Sequence, residues 1–256
     1  MKTWFAFFKK EWVEQIRSGR LLILIFIFTL FGIMNPAIAK LTPWMMELME
    51  DSLEETGLIV SEIEVDALTS WTQFFKNIPM GLIAFVIIFS NIFTKEYQSG
   101  SLILVLTKGF SRYKVIFTKA AMMILLWTGG YWICYGITFG YNAFFWDNSI
   151  VKNFLFAAGC WWIFGIMVIG LVVLFSVLVS TNTGVLAGTG SVTLIFYLAG
   201  MFPKLSTYMP TKLMETASLL TGVVETGDYH NALGVAIILA VICIFVSIPF
   251  INGKNI

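Results

Sequence analysis

The chain holds one histidine and three cysteines, and their spacing supports no catalytic or metal-binding arrangement. His230 stands alone ahead of an apolar run, with no second imidazole or nucleophile nearby in sequence. Cys134, Cys160 and Cys243 are an odd number, each inside an apolar run. That spacing matches neither a disulfide framework nor a zinc site, so they read as packing residues. No Gly-x-x-x-x-Gly-Lys-[Ser/Thr] occurs, so no phosphate loop for ATP is present. There is no His-Glu-x-x-His, no Gly-x-Ser-x-Gly and no carboxylate pair inside an apolar run. The sequence therefore offers no catalytic residues, no metal ligands and no cofactor site of its own.

The elements that position the remaining polar groups are long apolar runs. Of the 256 residues, 58% are hydrophobic, 16% aromatic and only 12% charged. Soluble domains carry about 25% charged residues, so lipid must solvate much of this chain. A net charge of +1 excludes a strongly basic nucleic-acid binder. A helix needs roughly 20 apolar residues to cross a bilayer core. Uncharged stretches at 21–39, 77–94, 120–146 and 231–253 supply four spans. Between Asn153 and Pro203 no charge occurs across 51 residues. As one straight helix that stretch would be roughly 76 Å long, so it must break. Ser180-Thr181-Asn182-Thr183-Gly184 is the available polar turn, giving spans at 153–180 and 184–203. The expected fold is all-α: one six-span transmembrane domain over residues 1–256, with no charge in any span. No cleavable signal peptide is visible before Ala39.

Sidedness follows from Lys and Arg placement. With the N-terminus inside, the cytoplasmic segments carry eleven basic residues against three acids, Glu11, Glu14 and Glu96. The outside then carries five basic residues and twelve acids. The reading is N-in, C-in.

Three segments outside the spans carry information. Over 3–18, Trp4, Phe5, Phe8, Trp12 and Ile16 share one side of a helical wheel, with Lys10, Glu14 and Arg17 opposite. A Trp- and Phe-rich amphipathic helix of this kind belongs in the membrane interface, although Phe7 and Gln15 blur the pattern. The loop at 40–76 is acidic, with a helix start at Thr42-Pro43 and a capping box at Ser61-Glu62-Ile63-Glu64. It reads as two short helices over the outer mouth, either a solvated face or a vestibule attracting cations. The segment from Lys204 to His230, broken by Pro210, reads as folding back toward the outer leaflet.

The inside loop at 95–119 is the most informative. It runs Lys95-Glu96-Tyr97-Gln98-Ser99-Gly100-Ser101-Leu102, then Leu106-Thr107-Lys108-Gly109-Phe110-Ser111-Arg112-Tyr113-Lys114, and ends at Lys119. A short helix from Tyr97 to Leu106 would present Leu102, Ile103 and Val105 as apolar knobs, with Glu96 and Arg112 as charged neighbours. The pattern resembles the loop between the second and third spans of the ABC-2 type permease family: an acid, a spacer, Gly-[Thr/Ser]-Leu, a turn, an Arg and a Lys. Ser101 stands where Thr is commoner. Phe8-Lys9-Lys10-Glu11 through Arg17, Ser18 and Arg20 resembles that family's interfacial helix.

The resemblance implies a system of two permeases, identical or close paralogues, and two cytosolic ABC ATPases that bind ATP and Mg. It assigns ATPase coupling to Lys95, Glu96, Tyr97, Gly100, Ser101, Leu102, Arg112 and Lys114. Small members are similar to bacterial exporter permeases for phenol-soluble modulins, bacitracin or lantibiotics. In related permeases spans two and five line the cavity between subunits. That implies a translocation cavity lined by Phe85, Phe89, Asn91, Thr189, Thr193 and Tyr197, unless those residues serve packing alone. Gly136 with Gly140, and Gly184 with Gly188, are spaced for close helix packing. The function expected is a permease subunit in the bacterial cytoplasmic membrane. The alternatives are a self-contained secondary transporter or channel, and a non-transporting immunity protein. The absence of charge from the spans weakens ion-coupled transport.

Overall fold

The computed structural model describes residues 2–48, 65–98, 100, 107 and 110–253, and within them every regular element is helical. Helix α1 (Lys2–Arg17) leads through Gly19, whose φ of +73° is a left-handed turn suited to glycine, into α2 (Arg20–Leu48). Next come α3 (Ala67–Phe89), the five-residue α4 (Thr94–Gln98) and α5 (Arg112–Phe145). They are followed by α6 (Phe154–Leu178) and α7 (Asn182–Gly200). Short turns including α8 (Pro203–Ser206) and α9 (Ala217–Thr221) lead to α10 (His230–Gly253). Six of these helices are long and apolar enough to cross a membrane.

The helices are longer than the uncharged runs. Helix α5 begins at Arg112, so Lys114 and Lys119 lie on it, and α3 begins at Ala67, so it carries Lys76. The helices therefore carry charge beyond the uncharged runs, most notably Lys119, which is 1% exposed and sits one residue ahead of the 120–146 run. The helix start expected at Thr42-Pro43 is not one, because α2 continues through it with Pro36 and Pro43 inside. A proline forfeits one backbone bond per turn, and the Thr42 hydroxyl bonds back to the Ile38 carbonyl at 2.8 Å instead of capping. The capping box at Ser61 lies outside the described residues. Helix α3 is capped by Asp66, whose carboxylate accepts from Thr69 N at 2.8 Å. The polar turn between α6 and α7 is where the sequence places it, and Thr181 caps α7 by accepting from Gly184 N at 3.2 Å.

Helix α6 is the centre of the bundle, packed by α10, α5 and α7. Burial covers 67% of its most apolar stretch, against 11% for α7. Lipid tails are as apolar as leucine, so close packing and interhelical hydrogen bonds hold such helices together. A Cβ at Gly165 would sit 2.3 Å from the Trp127 ring, and one at Gly130 would sit 2.6 Å from Leu24 and Phe28. These glycines bring α5 against α6 and α2. Gly188 does the same within the α6–α7 hairpin, where an added Cβ would sit 2.3 Å from Phe175. A Cβ at Gly136 or Gly140 would meet nothing within 4 Å, so no close contact forms there among the described residues. Hydrogen bonds add a polar seam: Asn77 donates to Asn35 at 2.9 Å, and the Thr138 hydroxyl donates to the Gly32 carbonyl at 3.1 Å. Cys134, Cys160 and Cys243 are buried and free, as packing residues.

Candidate functional site

Helix α1 has three faces, where the sequence pattern resolves two. Phe5 and Ile16 point outward, 74% and 51% exposed, with Trp4 also exposed and Phe8 and Trp12 partly buried. The residues packed into the bundle are Phe7, Glu11 and Gln15, spaced i, i+4, i+8. Phe7 and Gln15, which blur the amphipathic pattern, therefore form the inner face. Phe7 packs on Phe110 with centroids 4.7 Å apart, and the Trp4 indole donates to Thr118 at 2.7 Å.

Glu11 opens onto a buried ionic network. Lys119 Nζ lies 3.0 Å from Glu11 Oε2 and 3.1 Å from Glu96 Oε1. Half-exposed Lys10 reaches Glu11 at 3.0 Å, Glu14 at 3.3 Å and Glu96 at 3.5 Å. Burial alone would favour a neutral Glu11. The attraction of Lys119 and then Lys10, with their hydrogen bonds, outweighs it and holds the carboxyl below the usual carboxylate range. Burial likewise opposes the charge of Lys10, but Glu11, Glu96 and Glu14 together raise its pKa above the ordinary lysine value. The oxygens of Glu11, Glu14 and Glu96 come within 4.8 Å of one another, close enough for a metal. The two ammonium groups already bond them, so the cluster is a lysine-bridged tie.

The residues assigned to coupling separate into inner and outer positions. Lys95 is exposed, whereas Glu96 is 7% exposed and faces α1 and α5. Arg112 donates from Nη1 to the Ile251 carbonyl at 2.5 Å, closing the C-terminal end of α10 onto the start of α5. A cation there also suits the negative end of the helix dipole. Lys114 sits 5.8 Å from the rings of Phe110 and Tyr113. Tyr97 lies on α4, and Gly100 has a φ of +65°. Ser101 and Leu102 lie outside the described residues.

On the side of the bundle, a groove of about 420 Å³ runs between α3, α6 and α7. Thr189, Thr193 and Tyr197 line it, facing Leu82, Ile83, Val86 and Ile87 of α3. Thr189 is 3% exposed, and its hydroxyl has no hydrogen-bond partner among the described residues. Phe85, Phe89 and Asn91 are not on this wall. Phe85 packs on Phe89 at 4.5 Å and on Trp127 at 5.6 Å, and Asn91 accepts from Arg20 at 2.6 Å. The reason is rotational: at about 100° per residue, Phe85 projects about 200° away from Ile83.

Sequence reasoning passed over Lys119 and Glu11 as charges flanking a span, and no local signal marks them as partners 108 residues apart. Asn182, which accepts from the Thr94 hydroxyl, was visible only as part of a turn.

Six membrane-crossing helices around an α6 centre, with α1 and the end of α10 both bonded to α5, define a multi-pass membrane protein. The family model for ABC-2 family transporter proteins matches residues 5–250, and the chain belongs to that family, whose members are transport subunits. It is also similar to an uncharacterized transmembrane protein, YxlG, of Bacillus subtilis (strain 168). The two are 21% identical over 257 residues, covering 98% of this chain and 96% of the relative. No solved structure matches the chain significantly. Family, helices and relative together make it a multi-pass protein of the bacterial cytoplasmic membrane, and the family pairs with an ABC ATPase in general.

Proposed function

We propose that the chain is the membrane subunit of an ATP-driven exporter of amphipathic or antimicrobial peptides or similar hydrophobic compounds. It works as a pair of permeases with two separately encoded cytosolic ABC ATPases, which bind ATP and Mg. Its orientation is N-in, C-in, with α1 at the cytoplasmic interface and residues 95–119 as the coupling segment.

One observation carries the reading. Helix α7 is rich in Gly, Thr and Ser, yet 11% of its most apolar stretch is buried. A helix with that composition is poorly matched to lipid, and small and hydroxyl-bearing residues favour contact with another protein surface or a cavity. A second permease copy across the α3–α7 groove would cover it and enclose Thr189, Thr193 and Tyr197. The apolar α3 wall with three polar groups opposite suits an amphipathic cargo.

The test is purification of the chain from its native host under mild detergent. An ABC ATPase should copurify, and inverted vesicles carrying the complex should take up a fluorescent amphipathic peptide only with ATP. Uptake by the purified chain alone, driven by an ion gradient, would sink the reading. Protection against a toxin that persists after deletion of the ATPase would favour an immunity protein.

A further inference from the structure

The coupling reading treats Glu96 as a side chain offered to the ATPase, but its surroundings assign it another task. Helix α4 is five residues long and is gripped from both sides. The Thr94 hydroxyl donates to Asn182, the first residue of α7. Two residues later, Glu96 turns the other way and meets Lys119 of α5 at 3.1 Å. Side chains two apart on a helix project about 200° apart, so the two contacts clamp α4 between the groove helix and the α1–α5 pair. Lys119 is itself shared, holding Glu11 of α1 at 3.0 Å. It is the most deeply buried cation of the tie and is bonded to two carboxylates from different helices.

We propose that Lys119 is a positioning residue for coupling. Through Glu96 it fixes the start of the coupling segment to α1, so that displacement of α4 by a closing ATPase moves α1 and α7 as one unit. The assignment rests on the exporter reading for its purpose, but not for its geometry. Packed elements held at discrete contacts shift as units rather than deform. A basic patch that only attracted anionic lipid would have no need of a buried lysine.

The experiment reads geometry and coupling separately. Spin labels at Lys9→Cys and Lys95→Cys, both exposed positions, report the α1–α4 distance in the full chain in lipid nanodiscs. Lys119→Arg should preserve the wild-type distance distribution. Lys119→Met should broaden it and shift it to longer values. Because Lys119→Met leaves two buried carboxylates facing each other, the fully neutral Glu11→Gln/Lys119→Met/Glu96→Gln chain provides a folded comparison. It should show the same loosening. A wild-type distribution in the triple variant would overturn the proposal.

In the copurified complex, the triple variant should lose ATP-driven uptake of the fluorescent peptide, with uptake retained in Lys119→Arg. Normal uptake in a triple variant with a loosened α1 would also overturn it. If the wild-type chain brings down no ATPase, the exporter reading fails while the distance measurement still decides whether Lys119 holds α4 to α1.

Discussion

The two ends of the bundle are held together by different physics. At one end, α1, α2, α4, α5 and α10 meet through ionic and charge-assisted contacts: Lys119 with Glu11 and Glu96, Arg20 with Asn91, Arg112 with the Ile251 carbonyl. At the other, the Trp71 ring packs against Phe74, Tyr135 and Phe154 with centroids 5.1–5.5 Å apart, and its indole donates to Asn148 at 3.0 Å. There Tyr229 donates to the Glu215 carbonyl at 2.6 Å, and Lys40 lies 3.7 Å from the Phe145 ring. A buried ion pair fails abruptly when one partner goes, because the other is left charged and unsolvated. Aromatic contacts are many and individually small, so losses there add up gradually. The charged end is built to transmit or to break, and the aromatic end to hold.

The largest effect expected is from Lys119→Met. It should destabilise the purified chain by about 3–5 kcal/mol, read as a lower midpoint in thermal unfolding followed by tryptophan fluorescence. Between the ends, Gly165→Ala puts a Cβ 2.3 Å from the Trp127 ring. Overpacking of that kind costs about 1–3 kcal/mol, and the same unfolding assay detects it. At the aromatic end, Trp71→Phe keeps most of the ring stacking and loses the hydrogen bond to Asn148. A loss of about 1 kcal/mol is expected; a loss as large as that of Lys119→Met would erase the contrast between the ends.

The smallest effect is that of pH, which should be flat over a wide range. Glu11 is depressed, so its contribution is complete above the usual value of 4.5 and declines as pH falls through the lower folded-state value. Lys10 is raised, so its contribution is complete below 10.5 and declines as pH rises through its higher folded-state value. The groups facing Glu11 are Lys119 and Lys10, with Glu14 and Glu96 beside them. The α1–α4 distance should therefore hold constant from about pH 5 to pH 10 and lengthen in stronger acid. Glu11→Gln should remove that part of the acid response.

The six spans were legible because lipid excludes charge: uncharged runs and one obligatory break at Ser180 to Gly184 mark them with few competing readings. What charge cannot mark is a helix that continues past the membrane. Helix α2 runs on through Pro43 and α5 begins at Arg112, so both loops are shorter than the charge pattern implies. The inner face of α1 was illegible for a related reason. Glu11 and Gln15 look solvent-facing until a lysine on another helix, Lys119, is brought to Glu11 by the fold. On the groove, the α7 residues followed from periodicity, but choosing the matching face of α3 required its rotation, which an apolar helix does not encode. Phe85 and Ile83 look alike in sequence and point to opposite sides.

The Asn35–Asn77 bond has a consequence for how the chain is made. Each carboxamide sits on a helix that leaves the ribosome separately, and either one alone in hydrocarbon would face lipid with its polar groups unpaired. Because the partners lie on consecutive spans, the first needs to wait only for the second. The bond therefore needs only α2 and α3 packed together, and α5 adds Thr138, which accepts from Asn35 at 3.4 Å.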